Sequence, residues 1–102
     1  MRGSLFSTLL LCLVVATPAV ADQALAKSRN CLSCHAIDKK IVGPAYLDVA
    51  RKYAGQKDGP DKLTAKILKG GAGVWGVIPM PVNSQVSEAE ARKLANWVLS
   101  LK

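Results

Sequence analysis

The residues able to do chemistry are few and stand close together. Cys31-Leu32-Ser33-Cys34-His35 holds two thiols and an imidazole, and the 102-residue chain has no other histidine and one further cysteine, Cys12. Two thiols three residues apart, followed at once by an imidazole, admit three chemistries. They could form a redox dithiol, half of a zinc site, or a C-x-x-C-H haem attachment site. A thioredoxin-like dithiol sits in a βαβ context, and no alternating strand pattern flanks this one. A structural zinc takes four ligands, and two Cys with one His fall one short. Haem attachment is the reading that remains. Two cysteines at this spacing project to the same side, so both sulfurs can reach the two vinyl groups of one porphyrin edge. His35 then reaches under the ring to the iron. Its second ring nitrogen should donate to a backbone carbonyl and fix the tautomer; the Ile41-Val42-Gly43-Pro44 turn is the nearest source.

The opposite face of the iron decides the use. An open position favours gas or peroxide chemistry, whereas a second strong ligand favours electron transfer, and Met paired with His raises the potential. Met80 is the one methionine besides Met1. An arbitrary Met is flexible core filler, but this one lies in Ile78-Pro79-Met80-Pro81. The flanking prolines fix φ and remove two backbone donors, so the segment is stiff enough to hold a thioether at a set point. Met80 is therefore the expected second axial ligand.

Four helices should position these groups. Asp22 can cap a first, running to the Cys31 region. Pro44 to Ala54 reads as a second, with Pro44 at its start and Gly55 just past its end. Leu63, Ile67 and Leu68 mark a third, opened near Pro60-Asp61 and closed by Gly70-Gly71. Ser87-x-x-Glu90 is a capping box opening a fourth, whose Leu94, Trp97, Val98 and Leu101 share one face. The loop from Gly70 to Val86, about 17 residues, exceeds the usual connection length, as functional loops do. No strand is expected, and the fold class is all-α.

The first residues read as a separate segment. Met1-Arg2 is charged, Leu5 to Ala16 is rich in Leu and Val, and Pro18 precedes Ala19-Val20-Ala21. That order is a secretory signal peptide, 1–21, cleaved to leave a domain at 22–102; the run is too short for a membrane span. Cys12 is discarded with it. Without Arg2, 13 basic residues face 7 acidic ones, an excess that suits an acidic protein, a membrane surface or nucleic acid.

Beyond the attachment motif, Val42-Gly43-Pro44-Ala45-Tyr46, Gly73-Val74-Trp75-Gly76, Ile78-Pro79-Met80-Pro81 and Trp97-Val98-Leu99-Ser100 resemble, in order, the small class I bacterial cytochromes of the c-551 type. The resemblance spans residues 22–102. It implies about four helices wrapped around one haem c, covalently held by Cys31 and Cys34, with His35 and Met80 on the iron. It further implies that Pro44 packs near the proximal histidine, that Trp75 donates its indole N–H to a haem propionate, and that Asn83 holds the Met80 side or a propionate by its amide. A core role for Trp75 and a turn role for Asn83 remain the plainer alternatives. Tyr46, Leu63 and Ile67 should line the pocket, and Trp97 should pack between the terminal helices.

The function implied is that of a periplasmic, soluble, monomeric electron carrier, not an enzyme. Its partners would be redox proteins with acidic docking surfaces, such as a cytochrome bc-type complex, a nitrite reductase or a terminal oxidase. Lys27, Lys39, Lys40, Lys57, Lys62, Lys66 and Lys69 are candidates for steering them. Family members are often acidic or near neutral, so this basic balance is a departure. Nucleic acid is disfavoured by export. The alternatives are a haem sensor or peroxidase-like protein with a labile Met80, against which stands the lack of a distal histidine, and a subunit docked permanently in a larger enzyme.

Overall fold

In a computed structural model the described residues are 18–102, with Gly3 and Leu10. Cys12 and nearly all of the apolar leader run lie outside them. The elements, in order, are α1 (Pro18–Ser28), a 3₁₀ turn (Cys31–Ser33), α2 (Tyr46–Tyr53), α3 (Gly59–Lys69) and α4 (Glu88–Ser100). Strand-like pairing among the described residues is confined to two isolated bridges, His35 with Lys40 and Gly71 with Met80.

α4 is the common floor, and α1, α2 and α3 each pack against it. Its apolar residues recur at helical spacing, and Ala91, Leu94, Ala95, Trp97 and Val98 are all buried. They meet Ala26 of α1, Tyr46 and Val49 of α2, and Leu63 of α3 in one cluster. Burial of this kind carries most of the stability of a small domain, and Leu94→Ala alone should cost about 2–5 kcal/mol. The capping box forms in full: Ser87 Oγ accepts from the Glu90 N–H, and the Glu90 carboxylate accepts from the Ser87 N–H, both at 3.1 Å.

Two helix starts differ from the sequence expectation, and that of α3 falls where it was expected. α1 begins four residues ahead of Asp22, which places that residue inside the helix. α3 opens at Gly59, with Asp58 before it and Pro60 in the first turn. α2 begins at Tyr46, so Pro44 lies outside it and Ala45 takes the N-cap position. Ala45 is extended (φ −59°, ψ 139°), which leaves Pro44 outside the helix with its carbonyl on His35. The opening amides of α2 find backbone acceptors instead, Tyr46 N–H on Ala36 (2.9 Å) and Leu47 N–H on Ile37 (2.9 Å).

Candidate functional site

The attachment motif is wound tight by its own backbone. Two residues past the end of α1 stands Asn30, whose φ of 64° is left-handed, a conformation Asn tolerates just past a helix. The chain then turns through Cys31–Ser33, and the carbonyl of Cys31 accepts from both Cys34 N–H (3.2 Å) and His35 N–H (3.1 Å). Among the described residues both cysteines are free. Burial pushes the Cys31 thiol above its ordinary value, so it stays protonated at neutral pH.

His35 is held from three sides. Its Nδ1 lies 2.8 Å from the carbonyl oxygen of Pro44. A carbonyl can only accept, so Nδ1 carries the proton and Nε2 keeps its lone pair. The Ile41–Pro44 turn that supplies this carbonyl is hung on Cys34, whose oxygen accepts from Val42 N–H (3.2 Å) and Gly43 N–H (2.7 Å). Gly43 lies flat against the imidazole, where any Cβ would strike the ring. Tyr46 stacks on the ring, centroids 4.9 Å apart at 18°, and is itself met edge-on by Trp97 at 5.5 Å. Burial, with Cys31 beside it, raises the Tyr46 phenol well above its ordinary value, leaving it a neutral neighbour.

Met80 is fixed from the other loop. Its N–H donates to Gly71 (2.8 Å) and its carbonyl accepts from Gly71 N–H (3.0 Å). Pro79 and Pro81 have no N–H, so Met80 carries the one donor of that trio and spends it on Gly71. The approach is close at Gly70 too, where a Cβ would collide with the Met80 carbonyl. Behind Met80, Asn83 gives its amide to the Ile67 carbonyl at the end of α3 (2.8 Å) and, at longer range, to Pro81 (3.5 Å). Gln85 completes a string, donating to Asn83 Oδ1 (3.1 Å) and to the carbonyl of Arg29 (3.0 Å).

Trp75 stands 43% exposed in the same loop, with the Lys52 ammonium 5.5 Å from its ring centroid. Leu63 is buried and Ile67 half-buried against the core. Sequence reasoning did not single out Gly43, Gly70, Gln85 or Lys52 as site residues. Gly43 and Gly70 carried a faint signal in their places beside Pro44 and at the end of α3; Gln85 and Lys52 carried none, because their partners are distant in the chain.

The arrangement fits a thioether-held haem. A resident zinc does not fit, since among the described residues no three His, Cys, Asp or Glu side chains converge. By contrast Ile41 and Val42 in one turn, and Val74, Trp75, Val77, Ile78 and Val82 in the Met80 loop, turn large apolar side chains outward. So much exposed apolar surface marks a binding site rather than an ordinary exterior, and a flat apolar macrocycle is a suitable occupant. Bound there, haem supplies a one-electron iron couple.

Comparison with known proteins agrees. The chain is 56% identical over 82 residues to cytochrome c-552 of Hydrogenobacter thermophilus, spanning 80% of this chain and 83% of that one. It is 55% identical over 80 residues to cytochrome c-551 of Pseudomonas aeruginosa, spanning 78% and 76%. The crystal structure of Nitrosomonas europaea cytochrome c552 superposes with a TM-score of 0.76 at 51% identity, covering 78% of this chain and 99% of that one. Residues 20–102 match the family model for cytochrome c. With Cys31 and Cys34 at attachment spacing for a covalent haem c, on an all-α frame shared with these small class I electron carriers, the chain belongs to the cytochrome c family.

Proposed function

We propose that the chain is exported, loses residues 1–21, and works as a soluble one-electron carrier of the periplasm, with His35 and Met80 as the axial ligands of its haem. The observation that carries this reading is the His35–Pro44 contact. A Nδ1–H fixed on a carbonyl at 2.8 Å leaves Nε2 as a lone-pair donor of set direction, as second-shell bonds to metal-bound histidines do. Two ligands held by stiff backbone move little when the iron changes charge, so reorganisation stays small. Met80 is braced by Gly71 and by prolines on both sides, and Asn83 fastens the chain beyond it to α3.

Trp75 is assigned to a haem propionate through its indole N–H, and Lys52 above its ring adds positive charge near that carboxylate. Pro44 acts through its carbonyl on His35. The part of this chain's residues is to bind, orient and shield, with no substrate bond made or broken, so the protein is a carrier rather than an enzyme.

Its partners are redox proteins with acidic surfaces, for example a cytochrome bc-type complex, a nitrite reductase or a terminal oxidase. Lys27, Lys39, Lys40, Lys57 and Lys69 are exposed and available to steer such a partner. Lys62 is already engaged with Asp58 at 3.3 Å, and Lys66 is half-buried against Gly71, which leaves both less free. Steering of this kind weakens as salt screens it. Among the described residues no helix is long and apolar enough to cross a membrane.

The test is an optical spectrum of the protein matured with haem in a bacterial periplasm, oxidised and reduced, with and without carbon monoxide. A low-spin haem with the far-red band of a Met–Fe(III) bond, indifferent to carbon monoxide, is the expected result. A high-spin haem that takes carbon monoxide readily would overturn the ligand assignment and favour a sensor or peroxidase-like role.

A further inference from the structure

Asp22 is an anomaly. It lies inside α1 and is 8% exposed, and among the described residues its buried Oδ1 makes no hydrogen bond. Among the described residues its ion-pair partner is Lys93 Nζ, 3.8 Å away, too far for a hydrogen bond. A buried carboxylate oxygen without a donor is costly, and it stands beside the bond at which the leader ends.

In an α-helix each N–H bonds to the carbonyl four residues back. While Pro18 to Ala21 are attached, their carbonyls can therefore accept the amides of residues 22–25, which leaves Asp22 no orphan donor among these amides. Removing residues 1–21 changes this. The nitrogen of Asp22 becomes an ammonium, and the amides of Gln23, Ala24 and Leu25 lose their acceptors. Asp22 is then the residue before the first helical position, and Ala24 and Leu25 are the second and third. Those are the amides an N-cap carboxylate accepts from, and a negative charge at that end also meets the helix dipole favourably.

We propose that Ala21–Asp22 is a processing site whose cleavage completes the fold, turning Asp22 from a buried carboxylate without a hydrogen-bond donor among the described residues into the N-cap of α1. The inference rests on the export reading above and extends it. Hydrolysis of the one peptide bond consumes water and yields the Ala21 carboxylate and the Asp22 ammonium. Lys93, across on α4, keeps its long-range attraction in either form.

The experiment compares melting temperatures of two holoproteins made in the periplasm. One is the processed protein; the other is delivered by a foreign leader so that Ala19-Val20-Ala21 remain, with Ala21→Gln to block a second cut. Each is made with Asp22, Asp22→Ala and Asp22→Asn. In the processed form Asp22→Ala should lower the midpoint by about 4–8 °C, the shift that loss of a good N-cap causes in a domain of this size. Asp22→Asn, itself a good cap, should restore most of it. In the extended form neither substitution should lower the midpoint. Equal losses in both forms, no loss in the processed form, or Asn as damaging as Ala would each overturn the capping role, the last pointing to Lys93 instead. The mass of the exported protein is read separately. A new terminus at any residue other than Asp22 refutes the processing site whatever the melting temperatures show.

Discussion

A Cβ added to Gly43 would fall on the imidazole of His35, so a single methyl group has no room between them. The same turn delivers the Pro44 carbonyl to Nδ1 at 2.8 Å. One short loop therefore sets both the tilt of the ring and its tautomer.

Gly43→Ala should displace either the ring or the turn. Overpacking of this kind typically costs about 1–3 kcal/mol, and here it also disturbs the Nδ1–H bond. We expect a lower melting temperature together with a shifted absorption spectrum of the holoprotein. A spectrum and midpoint equal to those of the parent would mean that the turn gives way freely and does not orient His35.

Substitution of the axial candidates separates their roles. His35→Ala should abolish stable holoprotein, measured as haem yield per protein. Met80→Ala should leave the haem attached but open the iron to carbon monoxide and lower the potential, since the His/Met pair raises it. An unaltered ligand-field spectrum after Met80→Ala would sink that assignment.

Asn83→Ala cuts the tie between the Met80 loop and the Ile67 carbonyl. The loss should be on the order of 1 kcal/mol, the usual worth of a hydrogen bond whose partner is left behind. Hydrogen exchange of the Met80 and Gly71 amides, which pair with each other, should accelerate. Exchange unchanged at both amides would show that the bridge holds the loop without Asn83.

Acid should loosen the seam between α1 and α4. The Glu90 carboxyl is held below its ordinary 4.5, first by the Arg29 guanidinium and then by the Ser87 amide. Arg29 Nη2 stands 2.7 Å from it. A group depressed in the folded state adds stability that is present above its unfolded value and fades as pH falls through its folded value. Glu90→Gln should therefore be less stable than the parent at neutral pH, with the gap closing below about pH 4.5. A gap of constant size down to pH 3 would assign the effect to packing instead.

Much of this was legible in the sequence, for local reasons. The attachment motif and the Ser87–Glu90 box act over a few residues, so type and spacing suffice. The Ile41–Pro44 turn could be named as the source of the accepting carbonyl because it is a turn only a few residues beyond His35. The start of α2 was misplaced because Pro44 is favoured at a first helical position, and its long-range duty to His35 overrides that preference. The start of α1 was misplaced because Asp22 looks like a cap and the residues before it look like a leader, whereas Ala19-Val20-Ala21 continue the helix without penalty. The Arg29–Gln85–Asn83–Ile67 string was invisible, since its members are brought together only by the folded chain.

That α1, α2 and α3 all lean on α4 has a consequence in time. Of the described helices α4 comes last in the chain, so it is synthesised after the three it supports. Until residues 88–100 arrive, the earlier helices lack the surface against which they bury Ala26, Tyr46, Val49 and Leu63. A chain whose keystone is made last keeps its core open through most of its synthesis.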